Sequence, residues 1–187
     1  HLSVSSVRRI LIQGGMRAQR VKRRSKVHRP RPRKPQAGML WQIDASPFSW
    51  LEERGPQMVL HAIIDDATGE VLAAVFRPQE TLEGYAAAMC EALRRKGVPL
   101  ALYSDRHTIF SSPKSNTSFE QELAGQPASL TTFGQAIADL GITHIQALTP
   151  QAKGRIERLW RTFQDRLVVE LRLRNVCTME EANRVLP

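Results

Sequence analysis

The sequence predicts an α/β protein: a mixed five-stranded sheet flanked by helices, preceded by a basic N-terminal arm. Two observations lead there. After residue 38, short apolar runs and helical patterns follow in the order strand, strand, strand, helix, strand, helix, strand, helix, and such an order builds a mixed sheet with helices on its faces. Charge is also segregated. Residues 1–43 hold twelve Lys and Arg and no Asp or Glu, while the remainder carries 15 bases and 18 acids. The formal net charge of +9 therefore comes entirely from the N-terminal part.

Residues 3–13 place Val4, Val7, Ile10 and Leu11 on one helical face, with Ser5 and Ser6 near the start and Gly14-Gly15 as a stop. One helix cannot bury its own stripe. It reads as the recognition helix of a partial helix-turn-helix over residues 1–15, or as an amphipathic helix that packs elsewhere. Residues 16–38 are a basic Pro-rich linker, extended through Pro30, Pro32 and Pro35. The core spans 39–175, and 176–187 begins a C-terminal extension.

Within the core, residues 39–44, 59–64 and 71–76 read as an antiparallel meander, with the turn Asp65-Asp66-Ala67-Thr68-Gly69 between the second and third strands. Residues 82–96 read as a helix capped by Thr81, stopped by Gly97, with Leu82, Tyr85, Met89 and Leu93 inward. Residues 100–104 form the fourth strand, 111–130 a polar loop or insertion, 132–140 a helix and 142–145 the fifth strand. Residues 150–173 form a long final helix with the apolar stripe Ile156, Trp160, Phe163, Leu167 and Leu171. Trp41 and Trp50 are read as core rather than base-stacking residues. Asp65 and Asp66 are read as turn-forming.

Composition narrows the function classes. No apolar run approaches the ~18 residues of a membrane span. Cys90 and Cys177 lack metal-ligand or C-x-x-C spacing, which suits a reduced cytosolic compartment. The chain begins at His1 and ends at Pro187, and reads as part of a longer protein. The basic arm suits a polyanion; a solubilising tail is the plainer reading.

Three acids stand out. Asp44 lies in W-Q-I-D-A-S at the predicted end of the first strand, and Asp105 in L-Y-S-D-R-H at the end of the fourth. If these strands are neighbours, two carboxylates converge at one sheet edge, where they repel unless a divalent cation intervenes. Glu157, in T-P-Q-A-K-G-R-I-E-R-L-W, borders the stripe of the last helix, in its second turn if Thr149 caps and Pro150 opens that helix. Taken alone, Glu157 reads first as an ion-pair partner of Lys153 and Arg161, worth a few tenths of a kcal/mol per pair (~0.3). Taken together, Asp44, Asp105 and Glu157 are the catalytic and metal-ligand candidates, sufficient for two divalent ions in phosphoryl transfer. His107 is a candidate supporting residue, against a structural hydrogen-bonding role. Arg8, Arg9, Arg20, Lys22, Arg23, Arg24, Arg31, Arg33, Lys153, Arg155 and Arg158 are candidate DNA-phosphate contacts, against the plainer reading of solvated charge.

These motifs resemble those of the transposase/integrase catalytic core, a ribonuclease H-like family with an Asp-Asp-Glu triad. W-Q-I-D-A-S is similar to its first-strand motif, with Trp41 ahead of Asp44. L-Y-S-D-R-H-T-I-F is similar to its second, with Phe110 downstream. T-P-Q-A-K-G-R-I-E-R-L-W is similar to its third, P-x-x-[NK]-G-x-x-E-R. The nearest type is the bacterial insertion-sequence transposase labelled ISNCY. The resemblance implies cleavage and transfer of double-stranded DNA, at transposon ends and target, with two Mg2+ or Mn2+ ions, by a homo-oligomer in the bacterial cytoplasm. Two features depart from the pattern. Fifty-one residues separate Asp105 from Glu157, longer than the family's usual interval, and Arg106-His107 stands where many relatives carry Asn-Gly. The segment 111–130 can hold the excess as an insertion.

Overall fold

The computed structural model describes residues 3–16, 32–105, 108–110, 130–146 and 154–186. Five strands form one sheet: β1 (Trp41–Phe48), β2 (Met58–Asp65), β3 (Val71–Arg77), β4 (Ala101–Ser104) and β5 (Thr143–Gln146), in the order β3-β2-β1-β4-β5. β1 and β2, like β2 and β3, pair antiparallel; β1 and β4, like β4 and β5, pair parallel. The described helices are α1 (Val4–Gln13), α2 (Leu82–Lys96), α3 (Thr132–Asp139), α4 (Gly154–Leu173) and α5 (Met179–Val185). This is the expected mixed sheet.

The first strand differs from expectation. It continues four residues beyond Asp44, because β2 supplies partners along its whole length, from Trp41↔Asp65 to Phe48↔Met58. β4 pairs only with Trp41 and Gln42, so the distal half of β1 has a partner on one side only, and Pro47 is tolerated there. Asp44 is thus a mid-strand residue.

Alternation along the strands divides the core between the two faces. Trp41, Ile43 and Ile63 pack with Tyr85, Ala88 and Met89 of α2 and with Phe110, Phe133 and Ile137. Leu60, Ala62, Ile64, Trp50 and Phe76 pack with Ile156, Trp160, Val168 and Leu171 of α4. Both Trp41 and Trp50 are buried core residues, as expected. Leu82, expected inward, is exposed; the buried face of α2 starts at Gly84 and Tyr85. Thr81 caps that helix by accepting from Gly84 N–H, and Gly97 ends it at φ +79°. Val176 and Ala182 join the α4 cluster, so the packed body runs through α5.

Polar contacts secure the seams. Arg54 Nη1 donates to the carbonyls of Leu171 and Val176 at 3.0 and 2.7 Å, satisfying acceptors at the end of α4. Asn183 of α5 pairs with edge strand β3 as a strand would: Phe76 N–H donates to its Oδ1 and its Nδ2 donates to Phe76 C=O. In the β2–β3 turn, Asp65 Oδ1 accepts from Ala67 N–H and Thr68 N–H, and Oδ2 from Gly38 N–H, in line with its reading as a turn residue. α1 is capped by Ser3, which accepts from Ser6 N–H, and none of its residues is buried.

Candidate active site

The parallel pairing of β1 and β4 sets Trp41 against Leu102 and Gln42 against Tyr103. The same offset carried forward sets Asp44 level with Asp105, one residue beyond β4. Residues level on neighbouring parallel strands share a face. Both acids are half-buried. Their fields meet at Tyr85, whose ionisation is pushed well above the usual range. Burial is the main cause, followed by its hydrogen bond to Glu80 and the charges of Glu80, Asp44 and Asp105.

Helix α4 lies along β1 on the opposite face from α2. Ile156 N–H approaches Gln42 Oε1 at 3.4 Å, Trp160 Nε1 donates to Asp44 Oδ2 at 3.0 Å, and Gln164 Nε2 approaches Ser46 Oγ at 3.4 Å. Four helical residues rise about 6 Å and two strand residues about 6.6 Å. The two rows therefore stay in step over three contacts. Glu157 sits in the first turn of α4 as described from Gly154, and the residues expected to open the helix earlier, Thr149 and Pro150, lie outside the described residues. Glu157 lies three residues before Trp160, so the Cβ atoms of the two are about 5–6 Å apart.

Glu157 itself is exposed and, among the described residues, makes no ion pair, so the Arg161 ladder is not formed. Among the described residues no group of three or more His, Cys, Asp or Glu is close enough to hold one ion. The register of β1 and β4, carried forward, sets Asp44 level with Asp105, and Glu157 lies on the helix turn next to Asp44's partner Trp160. A half-buried pair of carboxylate oxygens is a donor set suited to a hard divalent cation.

The basic candidates separate into groups. Arg20, Lys22, Arg23, Arg24, Arg31, His107, Lys153, the cap Thr149-Pro150 and nearly all of the 111–130 insertion lie outside the described residues. Arg8 and Arg9 on α1 and Arg158 on α4 are exposed. Arg33 Nη1 instead donates to Ala67 C=O of the β2–β3 turn at 3.1 Å. Arg155 is tucked inward against the fully buried Asp66, in a salt bridge at 12% side-chain exposure. An inward guanidinium that neutralises a buried acid is not offered to a phosphate, so the structure redirects Arg155 from DNA contact to the interior.

Residue-by-residue reading missed several neighbours of the acids. Tyr85 O–H donates to Glu80 Oε1 at 2.6 Å, although Tyr85 reads in sequence only as an inward helix residue. Ser104 Oγ and His144 Nε2 are hydrogen-bonded at 2.8 Å immediately before Asp105, and burial lowers the pKa of His144. Gln42 and Asp66 are buried polar residues; the first carries a visible signal, a Gln in an apolar strand two residues ahead of Asp44.

A mixed five-stranded sheet in the order β3-β2-β1-β4-β5 with helices on its faces is a ribonuclease H-like fold. No family model matches the chain. The chain is 38% identical over 186 residues to the putative transposase y4bF of Sinorhizobium fredii, covering all of this chain and 39% of that protein. It is 44% identical over 162 residues to the transposase for insertion sequence IS1202 of Streptococcus pneumoniae, covering 86% of this chain and 33% of that protein. The chain thus spans between a third and two fifths of the curated relatives it matches. Among solved structures, a chain of the simian T-cell lymphotropic virus intasome, in complex with PP2A regulatory subunit B56 gamma, superposes with a TM-score of 0.62 at 19% identity, covering 90% of this chain and 55% of that one. The HTLV-2 integrase catalytic core domain in complex with magnesium superposes with a TM-score of 0.54 at 19% identity, covering 79% and 82%. By sequence the chain is similar to these two transposases, and by fold to the integrase catalytic core.

Proposed function

We propose that this chain is the catalytic region of a DNA transposase, a polynucleotidyl transferase in which Asp44, Asp105 and Glu157 form the acid site. The observation that carries this reading is the parallel register of β1 and β4, which carried forward sets Asp44 level with Asp105, with α4 tied to Asp44 through Trp160. Likeness to two transposases supports it. Two divalent ions, magnesium or manganese, would be held by Asp44 and Asp105 with Glu157 completing the set; when bound they supply charge neutralisation at a transferring phosphoryl group.

The chain's own residues do the positioning. Trp160 Nε1 holds one oxygen of Asp44 and so orients its carboxylate. Glu157, exposed on the first turn of α4, makes no ion pair among the described residues and lies three residues before Trp160, the partner of Asp44. The basic arm and the exposed Arg8, Arg9 and Arg158 bind double-stranded DNA at transposon ends and target, largely through phosphates. End pairing calls for a homo-oligomer.

The test is metal-dependent cleavage of an end-mimicking duplex by the full-length protein, compared with RNA and hybrid duplexes. Asp44→Asn keeps the shape and an acceptor for Trp160 but removes the charge. It is expected to lower the cleavage rate at least ~100-fold, about 2.7 kcal/mol of barrier, with DNA binding retained. Equal cleavage by Asp44→Asn sinks the assignment. Preference for the hybrid indicates a ribonuclease H-like nuclease instead, and binding without cleavage a non-catalytic DNA-binding protein.

A further inference from the structure

The buried acid Asp66 has no role in the proposed chemistry, yet it is fully buried and three parts of the chain meet on it. Its Oδ2 accepts from Lys34 N–H of the linker at 2.8 Å. Its Oδ1 accepts from Gln42 Nε2 of β1 at 2.8 Å and from Arg155 Nη1 of α4. Its own N–H donates to Leu40 C=O at 2.9 Å, just ahead of β1. Gln42, also fully buried, continues the chain by facing Ile156 N–H with its Oε1.

Arg155 and Ile156 immediately precede Glu157. A buried charge and a buried amide therefore grip the two residues before the third acid, while Trp160 on Asp44 grips the helix three residues after it. The first N–H groups of a helix have no partner within the helix, so its first turn frays unless something outside holds it. Here the Ile156 amide and the Arg155 side chain supply that hold. Because the grip is made to the β1 residue two before Asp44, it sets the height of Glu157 along the strand that carries Asp44.

We infer that Asp66, Gln42 and Arg155 form a latch that positions Glu157 against the Asp44–Asp105 pair. Arg155 is then a positioning residue, not a DNA contact. The inference rests on the proposed role of Glu157, and its test is built to fail separately from that role.

The experiment uses the full-length protein and the variants Arg155→Met, Arg155→Lys and Glu157→Gln. Amide hydrogen exchange is read at residues 154–158 and at 165–173, with Mn2+ binding measured by calorimetry, and single-turnover cleavage at saturating DNA. With Arg155→Met, exchange at 154–158 is expected to rise at least ~10-fold and that at 165–173 to stay within ~2-fold. Mn2+ affinity and cleavage rate should fall ~10-fold or more, with the DNA dissociation constant within ~2-fold. Arg155→Lys, which keeps the charge on Asp66, should recover part of each loss. Unchanged exchange and rate in Arg155→Met, alongside loss of cleavage in Glu157→Gln, overturns the latch and leaves the triad intact. Weakened DNA binding with an unchanged saturated rate also overturns it, and returns Arg155 to phosphate contact. Full activity of Glu157→Gln overturns the triad, while the exchange data still decide whether the latch holds the helix. Should Arg155→Met fail to fold, Gln42→Met carries the same readouts, since it removes the amide grip and leaves the ion pair.

Discussion

His61 makes the stability of this fold sensitive to mild acid. It sits on β2 with no exposed surface, between Ala45 and Val75 on the flanking strands, edge-on to Tyr85 at 4.9 Å. Neither ring nitrogen makes a well-formed hydrogen bond, although the Val59 and Val75 backbone lies close enough to act on the ring. Burial first, and the charge of Arg77 second, lower its pKa from 6.5 to about 4, against a smaller opposite effect of the Val75 and Val59 backbone. The folded-state pKa is depressed, so the folded form binds fewer protons than the unfolded one. The stability this neutral ring allows is present above pH 6.5 and is lost as pH falls towards 4. Integrating proton uptake between pH 7 and 5 gives a loss of about 2 kcal/mol. His61→Leu removes the titration and the two unpaired nitrogens together. It should be neutral or stabilising at pH 7, because burying an unpartnered polar group costs on the order of 1–3 kcal/mol. Chemical denaturation at pH 7, 6 and 5 reads the effect. Wild-type stability should fall about 2 kcal/mol more than the variant's between the end points. Half-buried His144, also depressed by burial, contributes equally to both proteins and cancels in the difference. Parallel decline of the two would show that His61 is hydrated or paired in solution, and the reasoning would fail.

Other outcomes follow from the same contacts. A Cβ added at Gly84 would lie 2.5 Å from His61 Cε1 and Nε2, on a buried ring with nowhere to swing. Gly84→Ala should therefore destabilise by about 1–3 kcal/mol in denaturant melts, with recovery when His61 is also cut to Ala; no change in the single variant would refute the close approach. Asn183→Ala leaves both polar groups of Phe76 on the β3 edge without their partner and should lower stability by about 1–3 kcal/mol without altering the DNA cleavage rate at 25 °C. Deleting residues 1–31 should weaken duplex binding and make the log–log salt dependence shallower by about 0.9 per lost phosphate contact; an unchanged slope means that the arm does not clamp DNA.

The sequence by itself determined the periodic elements and singled out three candidate acids. Short apolar runs marked the strands, and Thr81 and Gly97 marked both ends of α2 because cap chemistry is local. The spacing of Ile156, Trp160 and Leu171 marked the buried face of α4 for the same reason: helical period is a property of neighbouring residues. Three motifs in order then named Asp44, Asp105 and Glu157. Only the tertiary structure decided what those residues face. That β1 runs on past Asp44 depends on the length of β2, a partner distant in sequence. That Asp44 and Asp105 are level depends on parallel register, which no local pattern encodes. Arg155 and Arg158 are indistinguishable as bases in one motif. Burial against Asp66, 89 residues away, turns the first into an internal brace, while the second stays in solvent, because a charge's role is set by the dielectric and the partner that folding gives it.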